Sequence, residues 1–221
     1  MASQTLSDQP SEALTELYFD CEQPDERDAI FEVLAGRTDG TSKAFLEAVM
    51  GHDDDPFMRA QAAHALLGQG VPEARAQLLQ ILEEGGDELL FEEAMAALLE
   101  VDGPSLFGPL QAIVADGQRD LSERRLAMVG MDQADPQASL AQCRGLLGHI
   151  DGIGQLPLDL LSFAVAALVR SGDPVDQELL AAAVAKLPQE GWADGDDREA
   201  VLEILAEGQA LMGADPLDEA G

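Results

Sequence analysis

His52 to Pro56 reads HDDDP, an imidazole and three carboxylates directly before a proline. These are metal-ligand types, but a metal site needs a second histidine or carboxylate converging from elsewhere, and no spacing in the chain supplies one. The same residues suit a helix start. Asp55 can accept a free backbone N–H at the N-cap, and Pro56 fits the first helical position, where a missing N–H costs nothing. Asp87 stands 32 residues later at the corresponding place, before ELLFEEAMAALL. Capping therefore accounts for Asp55 and leaves Asp53 and Asp54 as surplus loop acids.

WADGDDREA, Trp192 to Ala200, resembles a calcium loop in its acids around Gly195, yet lacks the spacing and terminal glutamate of an EF-hand. Asp196 or Asp197 is expected to cap a final helix, and Trp192 to pack between the last helices. The three histidines are scattered; His64 and His149 fall in no Ser/His/Asp or Cys/His grouping. Cys21 and Cys143 lie far apart without ligand spacing and are expected as free thiols. Nothing singles out a carboxylate pair for glycosidic chemistry. The expectation is no catalytic residue, no cofactor and no metal, hence not an enzyme.

Charge is the strongest compositional signal. Forty-three acidic residues face 12 basic ones, with only Lys43 and Lys186 as lysines, for a net charge of −31. Such a field repels nucleic acid and anionic membrane and attracts basic proteins; a salt-adapted proteome would show the same bias. The one basic cluster, RDLSERR from Arg119 to Arg125, is expected to pair with nearby acids such as those of FEE, Phe91 to Glu93. Acids are densest at Asp53, Asp54, Glu83, Glu84, Asp87, Glu88, Glu92 and Glu93. They recur near one edge of successive repeats, so they are expected to line up as a ridge that binds a basic partner protein. No apolar run reaches the ~18 to 20 residues of a membrane span, and the first twenty residues lack the features of a secretory signal. Both favour the cytoplasm.

The elements that position these residues repeat. Pro72, Pro104 and Pro136 are spaced by 32, as are Pro24 and Pro56. Leu34, Leu66 and Leu98 precede the register point by six residues, and Leu46, Leu78 and Leu110 follow it by six; the fourth copy drifts to Gly130 and Gln142. After a 38-residue step to Pro174, Leu168 and Leu180 resume the pattern, with GHIDGIGQLP, Gly148 to Pro157, as the inserted loop. Leu46, Val49 and Met50, or Leu78, Ile81 and Leu82, fall at i, i+3 and i+4, one face of a helix. Each unit is thus expected to be two short antiparallel helices that need their neighbours to bury an apolar face.

Asp55 to Leu82, DPFMRAQAAHALLGQGVPEARAQLLQIL, resembles a short bacterial HEAT-like repeat of the kind found in phycobilin-lyase-type repeat proteins. Asp55, Pro56, Met58, Arg59, Ala62, Ala65, Leu66, Gly70, Pro72, Glu73 and Leu78 carry the likeness. In the next copies Arg59 gives way to Phe91 and Glu123. The resemblance implies an all-α, right-handed α-solenoid of about five to six antiparallel helix pairs, with an extended surface that commonly binds another macromolecule. The expected layout is a disordered N-terminus over 1–10 and a single HEAT-like repeat domain over 11–212. Its units lie near 24–52, 53–86, 87–118, 119–154 and 155–191, with a capping helix at 197–212 and a flexible acidic tail over 213–221.

The function expected from this is a non-catalytic, monomeric protein-protein interaction module, an adaptor or scaffold. Its alternative is an acidic inhibitor or immunity-type protein that mimics nucleic acid and blocks a basic partner. A lyase of the bilin-attachment kind rests on the repeat resemblance alone.

Overall fold

The computed structural model describes residues 6–148, 158–187 and 195–213. Within them all regular structure is helical: a 3₁₀ turn, Leu6–Asp8, and eleven α-helices. Of the expected insertion, Gly148 to Pro157, only Gly148 is described; the rest of it, the acidic run from Trp192 and the tail beyond 213 lie outside the described residues, as do the Asp196 and Asp197 side chains and His149. No helix among the described residues is long and apolar enough to cross a membrane.

The chain divides into two compact units, residues 1–103 and 104–221. Unit 1 holds α1 (Ser11–Asp20), α2 (Pro24–Ala35), α3 (Gly40–His52), α4 (Pro56–Gly68), α5 (Pro72–Glu84) and the first part of α6 (Glu88–Ala115). Non-helical backbone at Asp102 breaks α6, so that Pro104 falls in the first turn of the part belonging to unit 2. Unit 2 continues with α7 (Leu121–Ala134), α8 (Pro136–Gly148), α9 (Leu158–Ser171), α10 (Pro174–Lys186) and α11 (Gly195–Gly213).

Prolines and aspartates set where the helices begin. Pro24, Pro56, Pro72 and Pro174 open α2, α4, α5 and α10. The Asp39, Asp55, Asp120 and Asp173 carboxylates accept backbone N–H bonds from Ser42, Phe57, Ser122 and Val175. Asp87 accepts from Leu89 and Leu90, and Asp135 from Gln137 and Ala138. Each cap satisfies donors left open at a helix start and sits at the positive end of the helix dipole. These bonds hold the Asp39 carboxyl down at about 2, led by the Ser42 amide, and lower Asp120 likewise. Glycine takes over where the chain turns back: Gly70 and Gly172, at φ 78° and 63°, follow α4 and α9.

The 32-residue register is the core. Leu34, Leu46, Leu66, Leu78, Leu110, Leu168 and Leu180 are all fully buried, and Leu98 nearly so. In unit 1, α1 packs on α2 and α3, α2 on α3, α3 on α4, and α4 on α5. In unit 2, α8 joins α7 to α9 and α10, while α11 packs on α9 and α10. The fourth copy slips by one residue. Cys143 and Leu147 are buried on α8 where the register points to Gln142 and, one turn further on, Leu146, a rotation of about 100° around the helix.

Two features lay outside the repeat pattern. Helix α1 precedes the first expected unit and buries Leu14 and Tyr18. The N-terminal segment expected to be disordered through residue 10 is tied down from Leu6: Arg37 Nη2 donates to the carbonyls of Ser7 and Gln9 at 3.0 and 2.8 Å. Tight packing is clearest in unit 2, where Gly208 on α11 lies against Val165 on α9 so closely that an added Cβ would overlap Val165 Cγ1. Gly208→Ala is expected to lower unfolding free energy by about 1–3 kcal/mol through overpacking. Chemical denaturation checks this, and Gly208→Ala with Val165→Ala should recover part of the loss by removing the clashing methyl groups.

Candidate partner-binding surface

The acids expected as a ridge have different surroundings, and Asp53 departs most from the expectation. Its side chain is only 3% exposed and faces Arg27 at 2.5 Å. Tyr18 Oη donates to the same carboxylate at 3.1 Å, and the Asp55 amide to its other oxygen at 3.0 Å. Arg27 also lies over the Tyr18 ring at 4.5 Å, and Arg59 Nη1 donates to the Asp53 carbonyl at 2.6 Å. Asp53 therefore ties α1, α2 and α4 to the end of α3 and is not a surplus loop acid. A buried carboxylate requires this pairing, because desolvation without partners costs far more than an exposed ion pair returns.

Asp87 is occupied as a cap, and Glu93 is half-buried with Oε1 3.0 Å from His64 Nδ1. His64 Nε2 lies 3.2 Å from Glu100 Oε2, so this residue links α4 to α6 through both ring nitrogens. Glu84 accepts from Gln80 one turn earlier at 2.7 Å. Asp54, Glu83, Glu88 and Glu92 are exposed. The basic cluster is engaged within unit 2: Arg119 meets Glu123 at 2.9 Å, and Arg124 Nε donates to the Val114 carbonyl at 3.0 Å.

The grooves formed by described residues of unit 1 include two of similar size. One, of 530 Å³, runs along the first helices of successive pairs, α2, α4 and α6. Asp28 and Glu32 from α2, Asp55 before α4, and Glu93 from α6 line it, together with Phe31, Phe57 and His64. No lysine or arginine among the described residues lines it. The other, of 470 Å³, lies along α5 and carries mixed charge: Arg59 with Glu73 and Glu84, beside Gln77, Gln80 and Ile81. Asp28 and Glu32 escaped the sequence reading because α2 has a lower density of acids than the 83–93 stretch. Their i, i+4 spacing, which puts both carboxylates on one helix face, was the available signal.

Unit 2 has its own internal charge cluster. Asp176, fully buried, receives Arg144 Nε at 2.6 Å and Nη2 at 2.9 Å, together with the Ser171 hydroxyl. Burial pushes the Asp176 carboxyl up, but the Arg144 and Ser171 hydrogen bonds outweigh it and hold it below the usual range. Burial, followed by the Asp132 charge, raises the Cys143 thiol to about 11, so it stays protonated. Among the described residues no group of three or more His, Cys, Asp or Glu side chains is placed to hold a metal.

The Tyr18 phenol reports on the Asp53 cluster. Burial, and then the Asp53 charge, push it up to about 12 from an ordinary 10.0. The folded state keeps this proton while the unfolded state loses it, so stability is complete below pH 10 and falls as pH rises towards 12. Since Tyr18 is the one tyrosine in the chain, tyrosinate absorbance reads it directly. Titration should come late, and Asp53→Asn should move it earlier and cost roughly 1–3 kcal/mol of stability. Asp54→Asn should change stability by no more than about 0.5 kcal/mol. A wild-type midpoint near 10 with helical circular dichroism intact would contradict the cluster.

Residues 11–99 match the family model for HEAT repeats, so that segment, the larger part of unit 1, has an all-α fold of HEAT-repeat type. None of the curated proteins matches the chain. Among solved structures, human deoxyhypusine hydroxylase in complex with glycerol is similar at 13% identity and a TM-score of 0.42, over 95% of this chain and 87% of that one.

Proposed function

We propose that this protein is a non-catalytic protein-protein interaction module, an adaptor or scaffold that holds a partner with a basic surface. The HEAT-repeat-type fold over residues 11–99 is one associated with interaction surfaces. The observation that carries the reading is the α2/α4/α6 groove, which is lined by exposed Asp28 and Glu32 as well as by the capping Asp55 and the His64–Glu93 pair, with no lysine or arginine among its lining residues. Charge of −31 supplies long-range attraction, and Asp54, Glu83, Glu84, Glu88 and Glu92 are exposed, whereas Asp53, Asp55 and Asp87 serve as core or capping groups. Attraction of this kind raises the rate of encounter, while desolvated apolar contacts slow dissociation. In this reading the helix pairs are antiparallel and stack with a right-handed sense, and the protein acts as a cytoplasmic monomer. It assigns no catalytic residue and no cofactor.

Affinity purification from the source cells tests it. Wild-type protein should retain a basic partner at low salt and release it as ionic strength approaches about 0.5 M, where the Debye length falls to a few ångströms. A variant carrying Asp28→Asn and Glu32→Gln in the groove, together with Asp54→Asn, Glu88→Gln and Glu92→Gln, should retain less of that partner at low salt. An identical set of captured proteins for both, insensitive to salt, contradicts the reading. A captured partner whose nucleic-acid binding is competed away would instead make the protein an acidic inhibitor.

A further inference from the structure

Phe57 and Leu89 are large apolar residues left at the surface, 37% and 68% exposed, and they stand 32 residues apart. Each occupies the second position of its helix, α4 or α6, so they are the same repeat position in successive pairs. Isolated exposed apolar residues are ordinary. A pair recurring in register with the core, one of them lining a 530 Å³ groove edged by carboxylates, is a surface with both an apolar anchor point and a charge preference. Asp28 and Glu32 line the same groove from α2, exposed and one turn apart.

The mixed-charge groove along α5 offers no such preference, because Arg59 stands among its acids. We infer that the α2/α4/α6 groove is the docking site for a partner segment in which an apolar side chain is flanked by lysine or arginine, the apolar group meeting Phe57 and the cations meeting Asp28 and Glu32. The inference rests on the interaction-module reading and adds the place and the chemistry of recognition. Complementarity assigns the occupant. The groove is negative and partly apolar, so it favours a cationic, apolar segment over an acidic or purely polar one.

Fluorescence anisotropy at physiological salt tests this with a short labelled peptide of arginine, leucine and alanine, against a control peptide in which glutamine replaces arginine. The wild-type protein should bind the first peptide and not the second. Asp28→Asn with Glu32→Gln should weaken binding roughly five-fold, as two exposed charge pairs would, and Phe57→Ala roughly ten-fold, as an aromatic anchor would. Glu178→Gln with Glu199→Gln, which remove the same charge from exposed positions in unit 2, should change affinity by less than about two-fold. Circular dichroism confirms that each variant is folded. Equal weakening by the two charge pairs would mean that the peptide reads net charge alone, and would overturn the groove. So would wild-type protein that fails to bind. Capture of a salt-sensitive partner alongside unchanged peptide affinity in the Phe57 and Asp28/Glu32 variants would sink the groove and leave the module reading intact.

Discussion

The helices among the described residues depend on their neighbours within each unit to cover an apolar face that none can bury alone. Most of the helices run for 10 to 14 residues, a length at which an isolated helix is marginal in water. Their stripes are built from leucine and alanine with few aromatics, so each buried contact is small and the sum accumulates only across successive pairs. A charge of −31 opposes compaction throughout. The leucines at the repeat register are accordingly buried almost without exception, and one-residue departures such as the slip on α8 are met by rotating the helix.

Against that constraint the acids separate by what they touch. Asp39, Asp55, Asp87, Asp120, Asp135 and Asp173 start helices. Asp53 and Asp176 are interior, each held by arginine and a hydroxyl. Part of the excess charge is thus architecture, used where carboxylates meet backbone donors or guanidinium groups. Asp28, Glu32 and the exposed acids of α5 and α6 remain on the surface of unit 1. Net charge alone cannot distinguish these groups; neighbours can.

Local signals were legible in the sequence. Proline at a helix start, aspartate before it and leucine at a fixed interval all act within a few residues or repeat at 32, so they name the helices and much of the core directly. Asp135 and Asp173, each before a proline, carry the same capping signal as Asp55. Asp53 was not legible, because Arg27 on α2 and Tyr18 on α1, a helix outside the repeat, come from 26 and 35 residues away. The groove was hidden for the same reason: Asp28, Phe57 and Glu93 share it only once α2, α4 and α6 are brought side by side. Gly208 gives no local sign of its contact with Val165, a residue on another helix.

Steering by charge and holding by a groove leave different spatial signatures, and locating the bound peptide separates them. With a nitroxide attached to the arginine-leucine peptide, amide signals of the isotope-labelled protein should broaden at Asp28 and Glu32 of α2 and at Gln61 and Ala65 of α4, all of which line the groove. Broadening centred on Gln77 and Gln80 of α5, or spread evenly over the surface, would contradict docking in the α2/α4/α6 groove.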